Sequence, residues 1–197
     1  MARPVVHNDS LRQDLLAAAA DLVDRDGPAR VTLRDMAAAA GTSTSAVYSL
    51  FGGKSQLLTA VVEDGFRSFG DSQEAAAAGG LQQLGVAYRA WALEHQALYR
   101  LMFGGALAEY VDCRPRPETA TTALQPLVDA VASAQAAGTL RAAPADVVAA
   151  AIWGQVHGLV SLELAQSGPP DMQWAEVYTA ALDAVARGWA AHPTPAD

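Results

Sequence analysis

The sequence predicts an all-α chain on three observations. Hydrophobic residues make up 51% of the 197 positions but aromatics only 7%, and about a fifth of the chain is alanine, the strongest helix former. Apolar residues recur at steps of three and four in one segment after another. Glycine or proline follows most of these runs, at Gly27-Pro28, Gly41, Gly52-Gly53, Gly138 and Gly168-Pro169-Pro170. About nine helices are predicted, and both disorder and an all-β fold are excluded. The length suffices for a sizeable core without staples. With 13 Lys plus Arg against 21 Asp plus Glu, the formal charge is -8, so a basic coat over the whole surface is excluded and any contact with DNA must be local. The single Cys113 and the scattered His7, His95, His157 and His192 offer neither a disulfide nor a metal-ligand spacing, so no metal and no cofactor is expected.

Ser10 and Gln13 form a capping-box pattern ahead of Leu11, Leu15, Leu16, Ala19, Leu22 and Val23, which predicts a first helix from Leu11 to about Asp26. Thr32, with Asp35 three residues on, opens a second helix of two turns that stops at Gly41. Ser43 caps a third, with Ala46, Val47, Leu50 and Phe51 on its apolar face and Gly52-Gly53 at its end. Two short helices joined by a glycine-containing turn make a helix-turn-helix. A fourth helix begins at Lys54 and carries Leu57, Leu58, Val61, Val62, Phe66 and Phe69, and the Ala- and Gly-rich stretch 72–80 is expected to be a loop.

Leu81, Leu84, Tyr88, Trp91, Ala92 and His95 share the next helical face, and the apolar content continues past a bend through Leu98, Leu101, Met102 and Tyr110. Pro115 and Pro117 are expected to break the helix between Cys113 and Glu118. Helices are then predicted from Leu124 to Ala137, from Pro144 to about Gln166, and across the amphipathic stripe Trp174, Val177, Tyr178, Ala181, Leu182, Val185 and Trp189. Val147 to Leu164 is apolar enough to test as a membrane span, but Gln155, His157 and Glu163 and the absence of basic flanks favour a buried helix of a soluble protein. The polar stretch Met1 to Ser10 lacks the apolar core of a leader, so a cytoplasmic location with no membrane partner is expected. No repeat of twenty to fifty residues is visible.

The stretch Val31 to Leu58, VTLRDMAAAAGTSTSAVYSLFGGKSQLL, resembles the DNA-binding signature of the TetR family of transcriptional regulators in residue type and spacing. WALEHQALYRLMFGG (Trp91 to Gly105) and IWGQVHGLVSLEL (Ile152 to Leu164) resemble the ligand domain of the TetR subgroup with a Trp, His and Gly motif. The resemblance implies a helix-turn-helix DNA-binding domain at 1–53, a connecting helix at 54–71, a ligand-binding and dimerisation domain at 81–191 and a flexible tail at 192–197. It implies a homodimer on a palindromic double-stranded operator, regulation of transcription, and an effector. Thr44 stands where relatives often carry lysine, and Gln96 where they often carry proline.

A recognition helix needs short polar groups facing base edges, while its neighbours fix phosphates. Ser43, Thr44, Ser45 and Ser49 supply hydroxyls opposite Val47 and Leu50, and Ala46 with the Thr44 methyl suits thymine methyl groups. Arg34 is the nearby side chain able to grip guanine bidentately. Tyr48, Lys54 and the helix starts at Thr32 and Lys54 suit phosphates. Capping also accounts for Thr32 and Ser43, and half-buried packing also accounts for Tyr48. Residues 1–55 hold six basic and six acidic side chains, which predicts weak non-specific binding. Gly53-Lys54-Ser55 does not end a phosphate-binding loop, because Tyr48 occupies the position that needs glycine.

For an apolar or aromatic effector the candidate contacts are Trp91, His95, Tyr99, Met102, Phe103, Trp153 and His157, each of which core packing also explains. Glu94 and Glu163 leave a cationic effector open. The resemblance implies a dimer interface of the last two helices, with Gly154 and Gly158 allowing close approach and Trp174, Val177, Tyr178, Ala181, Leu182 and Val185 as the apolar stripe. The alternative is a helical ligand-binding protein or enzyme that keeps the fold without operator binding, with His95, His157 and Glu163 as its acid-base groups. No nucleophile, base and orienter set supports an enzyme. Cys113 beside Arg114 and Arg116 is either a thiolate sensor or a bystander in a loop.

Overall fold

The structure, a computed structural model, describes residues 6–105, 107 and 116–191. Cys113, Tyr110 and the tail from His192, each given a role above, lie outside them. Among the described residues there are nine α-helices and one 3-10 turn: α1 (Val6–Asp26), α2 (Leu33–Ala39), α3 (Thr44–Phe51), α4 (Lys54–Ala76), the turn Ala77–Gly79, α5 (Gly80–Glu94), α6 (Gln96–Phe103), α7 (Pro117–Ala136), α8 (Ala145–Leu164) and α9 (Trp174–Trp189). The one β element described is an isolated antiparallel bridge between Leu140 and Ala190.

Several expected boundaries are corrected. Helix α1 starts five residues before Leu11, so Ser10 lies inside the helix and caps nothing; Asp9 in the first turn complements the helix dipole instead. The stretch 72–80 is not a loop. Alanine at 75 and 76 prolongs α4 to Ala76, and the chain turns in a 3-10 segment only where Gly79 and Gly80 arrive, Gly80 taking φ +70. Pro117 does not break a helix but opens α7 at the position where a missing N–H has no intrahelical partner to lose, and α7 runs through Pro126. The bend is a true break. His95 sits between α5 and α6 at φ -116, ψ 47, and its carbonyl accepts the Tyr99 N–H at 2.9 Å.

Two compact units divide the chain, and the grouping is not linear in sequence. The first holds α1, α2, α3, α4 as far as Ser68, and α6, around Leu15, Val23, Met36, Val47, Leu57, Leu58 and Val61. In it α1 packs on both α2 and α6, although α6 lies inside the expected C-terminal domain. The second unit holds α4 from Phe69, the 3-10 turn, α5, α7 from Thr121, α8 and α9. Its core includes Leu84, Tyr88, Val131, Val148, Ile152, Val156 and Val160, and α5, α8 and α9 pack on one another.

Helix α8 has the length and mean hydropathy, 1.4, of a membrane span by composition alone. The burial expected from sequence is confined to one face of it. Val148, Ala149, Ile152, Val156 and Val160 face the core, while Val147, Ala150, Ala151, Gly154 and Leu162 on the other side are exposed.

Candidate functional site

The α2–turn–α3 segment is set by local hydrogen bonds. Thr32 and Asp35 form a reciprocal capping box: the Asp35 N–H donates to Thr32 Oγ1 at 3.3 Å and the Thr32 N–H to Asp35 Oδ2 at 2.9 Å. The Thr32 hydroxyl also donates to Asp35 Oδ2 at 2.6 Å, and these bonds hold the Asp35 carboxyl below its ordinary range. After α2 the chain reverses through Gly41 at φ +64, a conformation in which a β-carbon is strained. Ser43 then caps α3 by accepting the Ala46 N–H at 3.3 Å, and Gly52 at φ +90 closes it.

On α3, Val47 is fully buried, and Ser45, Tyr48 and Ser49, at spacings of three and four, share an exposed face, with Tyr48 58% exposed. Ser43 and Thr32 are exposed at the two helix starts, Arg34 is exposed on α2, and Thr44 and Ala46 are half-buried. Lys54 is placed differently from expectation. Its ammonium donates to the Pro28 carbonyl at 2.6 Å and ties the start of α4 to the turn after α1. The remaining basic groups of this head are largely engaged within the chain. Arg25 pairs with Asp26 at 2.8 Å, Arg30 donates to the Asp26 carbonyl at 3.0 Å, and the Arg12 guanidinium lies 5.4 Å from the Phe51 ring.

The seven candidate effector contacts fall into two groups. In the first unit Tyr99 is buried with its ring 5.0 Å from that of Phe103, Phe103 meets the edge of Phe66 at 5.6 Å, and Met102 lies directly over Gly65, where a β-carbon would be 2.7 Å from its sulfur. His95 marks the helix break. Helix α6 is bound to α1 by a two-pronged ion pair, Arg100 Nε to Asp24 Oδ1 at 2.7 Å and Nη2 to Oδ2 at 2.5 Å. In the second unit Trp91 is buried edge-on to Phe69 at 5.3 Å, and Phe69 meets Tyr88 at 5.2 Å. The Tyr88 hydroxyl is 3.0 Å from His157 Nδ1, whose ring lies 5.5 Å from that of Trp153. Burial holds the His157 imidazole below its ordinary 6.5, toward the neutral form.

Glu163, held open above as a counter-charge for a cationic effector, is bound by Arg89 through bonds of 2.8 and 2.5 Å. Glu94 is exposed at the end of α5. Sequence reasoning also missed Gln73 on α4, 5% exposed, whose Nε2 has no hydrogen-bond partner among the described residues, a condition that costs about 1–3 kcal/mol. Its position four residues after Phe69, on the same apolar face, is the signal that was available. An open groove of about 620 Å³ beside it in sequence, lined by Glu74, Leu81, Pro126, Asp129, Ala134 and Leu140, contains none of the seven candidates.

Part of the α9 stripe is engaged within its own chain. Tyr178 is 4% exposed and its hydroxyl donates to the Gly85 carbonyl at 2.7 Å, Leu182 lies so close to Gly85 that a β-carbon there would collide with its methyls, and Val185 packs on the cluster of Val131, Leu140, Val148, Ala149 and Ile152. These three side chains hold α9 to its own chain. Trp174, Val177 and Ala181 are half-buried on the same helix. Gly154 and Gly158 stand on the other side of α8, where an added β-carbon meets nothing within 4 Å.

A three-helix head with a glycine turn and a polar, exposed face on its third helix defines a helix-turn-helix protein, here joined to a further helical domain. A family model for the bacterial regulatory proteins of the tetR family matches residues 15–61, and one for the tetracyclin repressor-like C-terminal domain matches residues 81–185, a span that includes both Trp-, His- and Gly-containing segments. The chain belongs to the TetR family and is a DNA-binding transcription regulator. Among solved structures it resembles a protein of unknown function from Rhodococcus sp. RHA1, 31% identical over 91% of this chain and 95% of that one, with a TM-score of 0.73. The same fold occurs in a TetR family transcription regulator from Marinobacter aquaeolei VT8, at 20% identity over 94% and 98% of the chains and a TM-score of 0.75. A TetR-family transcriptional regulator from Pectobacterium atrosepticum shares it at 23% identity over 98% and 100%, with a TM-score of 0.68. None of the curated proteins matches the chain.

Proposed function

We infer that the protein is a homodimeric, cytoplasmic repressor that leaves its operator when a small molecule occupies the C-terminal domain. The observation that carries this reading is the exposed α3 face of Ser45, Tyr48 and Ser49, set opposite the buried Val47 and flanked by the capped helix starts at Thr32 and Ser43. Ser43, Thr44, Ser45, Ala46 and Ser49 read base edges, Arg34 reads a guanine, and Thr32, Tyr48 and Lys54 contact phosphates, Lys54 with the two protons that Pro28 leaves it. The dimer forms on the open face of α8, through Val147, Ala150, Ala151, Gly154, Gly158 and Leu162. Two such heads reach half-sites about one turn, roughly 34 Å, apart.

Release requires an effector that binds the two states of the protein with different affinity. Support for the coupling comes from α6. It carries Tyr99, Met102 and Phe103 and belongs, with α1, to the same compact unit as α3. The experiment is selection from a random duplex pool at two salt concentrations. Enrichment of a palindrome with half-sites one turn apart is the expected result. No enrichment at low salt overturns the operator reading and leaves a ligand-binding protein that keeps the fold.

A further inference from the structure

The second unit contains an apolar interior in which, among the described residues, one buried polar side chain is left over. Phe69 points toward Tyr88 and Trp91 on α5, and Gly70 abuts Ala123 on α7, where a β-carbon would lie 3.5 Å from the Ala123 Cα. At 3.6 residues per turn Gln73 falls about 40° from Phe69 and about 60° from Gly70 around α4, so its side chain is directed between α5 and α7. It is 5% exposed, and its Nε2 has no partner among the described residues. A buried amide without a partner is rare in folded proteins and calls for an acceptor.

Three ionisable groups of the second unit are engaged with neighbours inside it. Arg89 and Glu163 neutralise each other, and Arg89 also lies 5.7 Å from the Tyr178 ring. His157 pairs with Tyr88 and is held toward its neutral form by burial. A charged ligand brought against Phe69, Tyr88 and Trp91 would lose its hydration to apolar rings.

We propose that Gln73 anchors an uncharged aromatic effector through a carbonyl or ether oxygen that accepts the Gln73 Nε2 proton, with Phe69, Trp91 and Trp153 packing its ring. This deepens the effector reading above and rests on it. Four probes sharing one ring separate the possibilities: acetophenone, ethylbenzene, benzoate and benzylammonium, titrated into the full chain by ligand-observed NMR. The wild type is expected to bind acetophenone about tenfold more tightly than ethylbenzene, the worth of one hydrogen bond, and more tightly than either ion. In Gln73→Leu that preference is expected to vanish while ethylbenzene still binds. Gln73→Met, which keeps the length of the side chain, serves the same comparison if Gln73→Leu does not fold. An unchanged acetophenone preference in both variants, or tighter binding of an ion to the wild type, overturns the Gln73 assignment and leaves the effector pocket standing. Failure of all four probes to bind the wild type overturns the pocket itself, and the assignment with it.

Discussion

One proton of the Lys54 ammonium is held by the Pro28 carbonyl, and this gives the residue two duties that one substitution separates. Lys54→Ala is expected to weaken binding to every duplex alike and also to destabilise the fold by about 1–2 kcal/mol, because a charge-assisted bond is lost. Equal melting temperatures for variant and wild type would remove the second duty. Arg34→Ala is expected to leave the melting temperature unchanged and to relax preference at one base pair by about 1–3 kcal/mol, read from competition among operator variants. An unchanged ranking of those variants would show that Arg34 does not read bases. His157 governs a pH response. Its folded form favours the neutral imidazole, so below the ordinary value of 6.5 the unfolded chain binds the extra proton and stability falls as the pH drops from about 7 toward 5. Melting curves of His157→Gln across that range are expected to show a shallower fall than wild type.

Packing between elements sets which apolar face is free. Tyr178→Phe leaves the Gly85 carbonyl without its hydroxyl donor inside the second unit and is expected to cost about 1–3 kcal/mol with no change in oligomeric state. Ala150→Glu on the open face of α8 is expected to do the reverse, leaving the monomer fold intact and splitting the dimer in sedimentation. A dimer that survives Ala150→Glu would move the interface elsewhere. This division of α8 and α9 was only half legible in the sequence. The α9 stripe announces burial but does not say against what, and α8 is apolar on both faces, so periodicity conceals which side meets α5. The helix-turn-helix was legible almost to the residue, because Thr32, Gly41, Ser43 and Gly52 are short-range signals that act where they stand. Pro117 was misread because proline both ends and begins helices, and Gln73 went unnoticed because polarity within an Ala-rich run gives no sign of burial.

At the scale of the molecule the charges are arranged so that the DNA-binding head contributes none of the net -8: residues 1–55 hold six basic and six acidic side chains. Several of these are joined to each other or to α6, as Arg25 is to Asp26 and Asp24 to Arg100. The number of phosphates neutralised per head is accordingly small, and the logarithm of affinity for non-cognate duplex is expected to change little with the logarithm of salt concentration, with a slope shallower than about -3 per head. A steeper slope in a fluorescence anisotropy titration would mean that these internal pairs open on DNA. The same cancellation of charge shapes how the regulator finds its target. A head with little hold on arbitrary sequence is expected to make short visits to the chromosome and slide only briefly, so that few copies are detained away from the operator. Most of the population is then expected to stay in free solution, with operator occupancy following the number of molecules in the cell and little buffering by the genome.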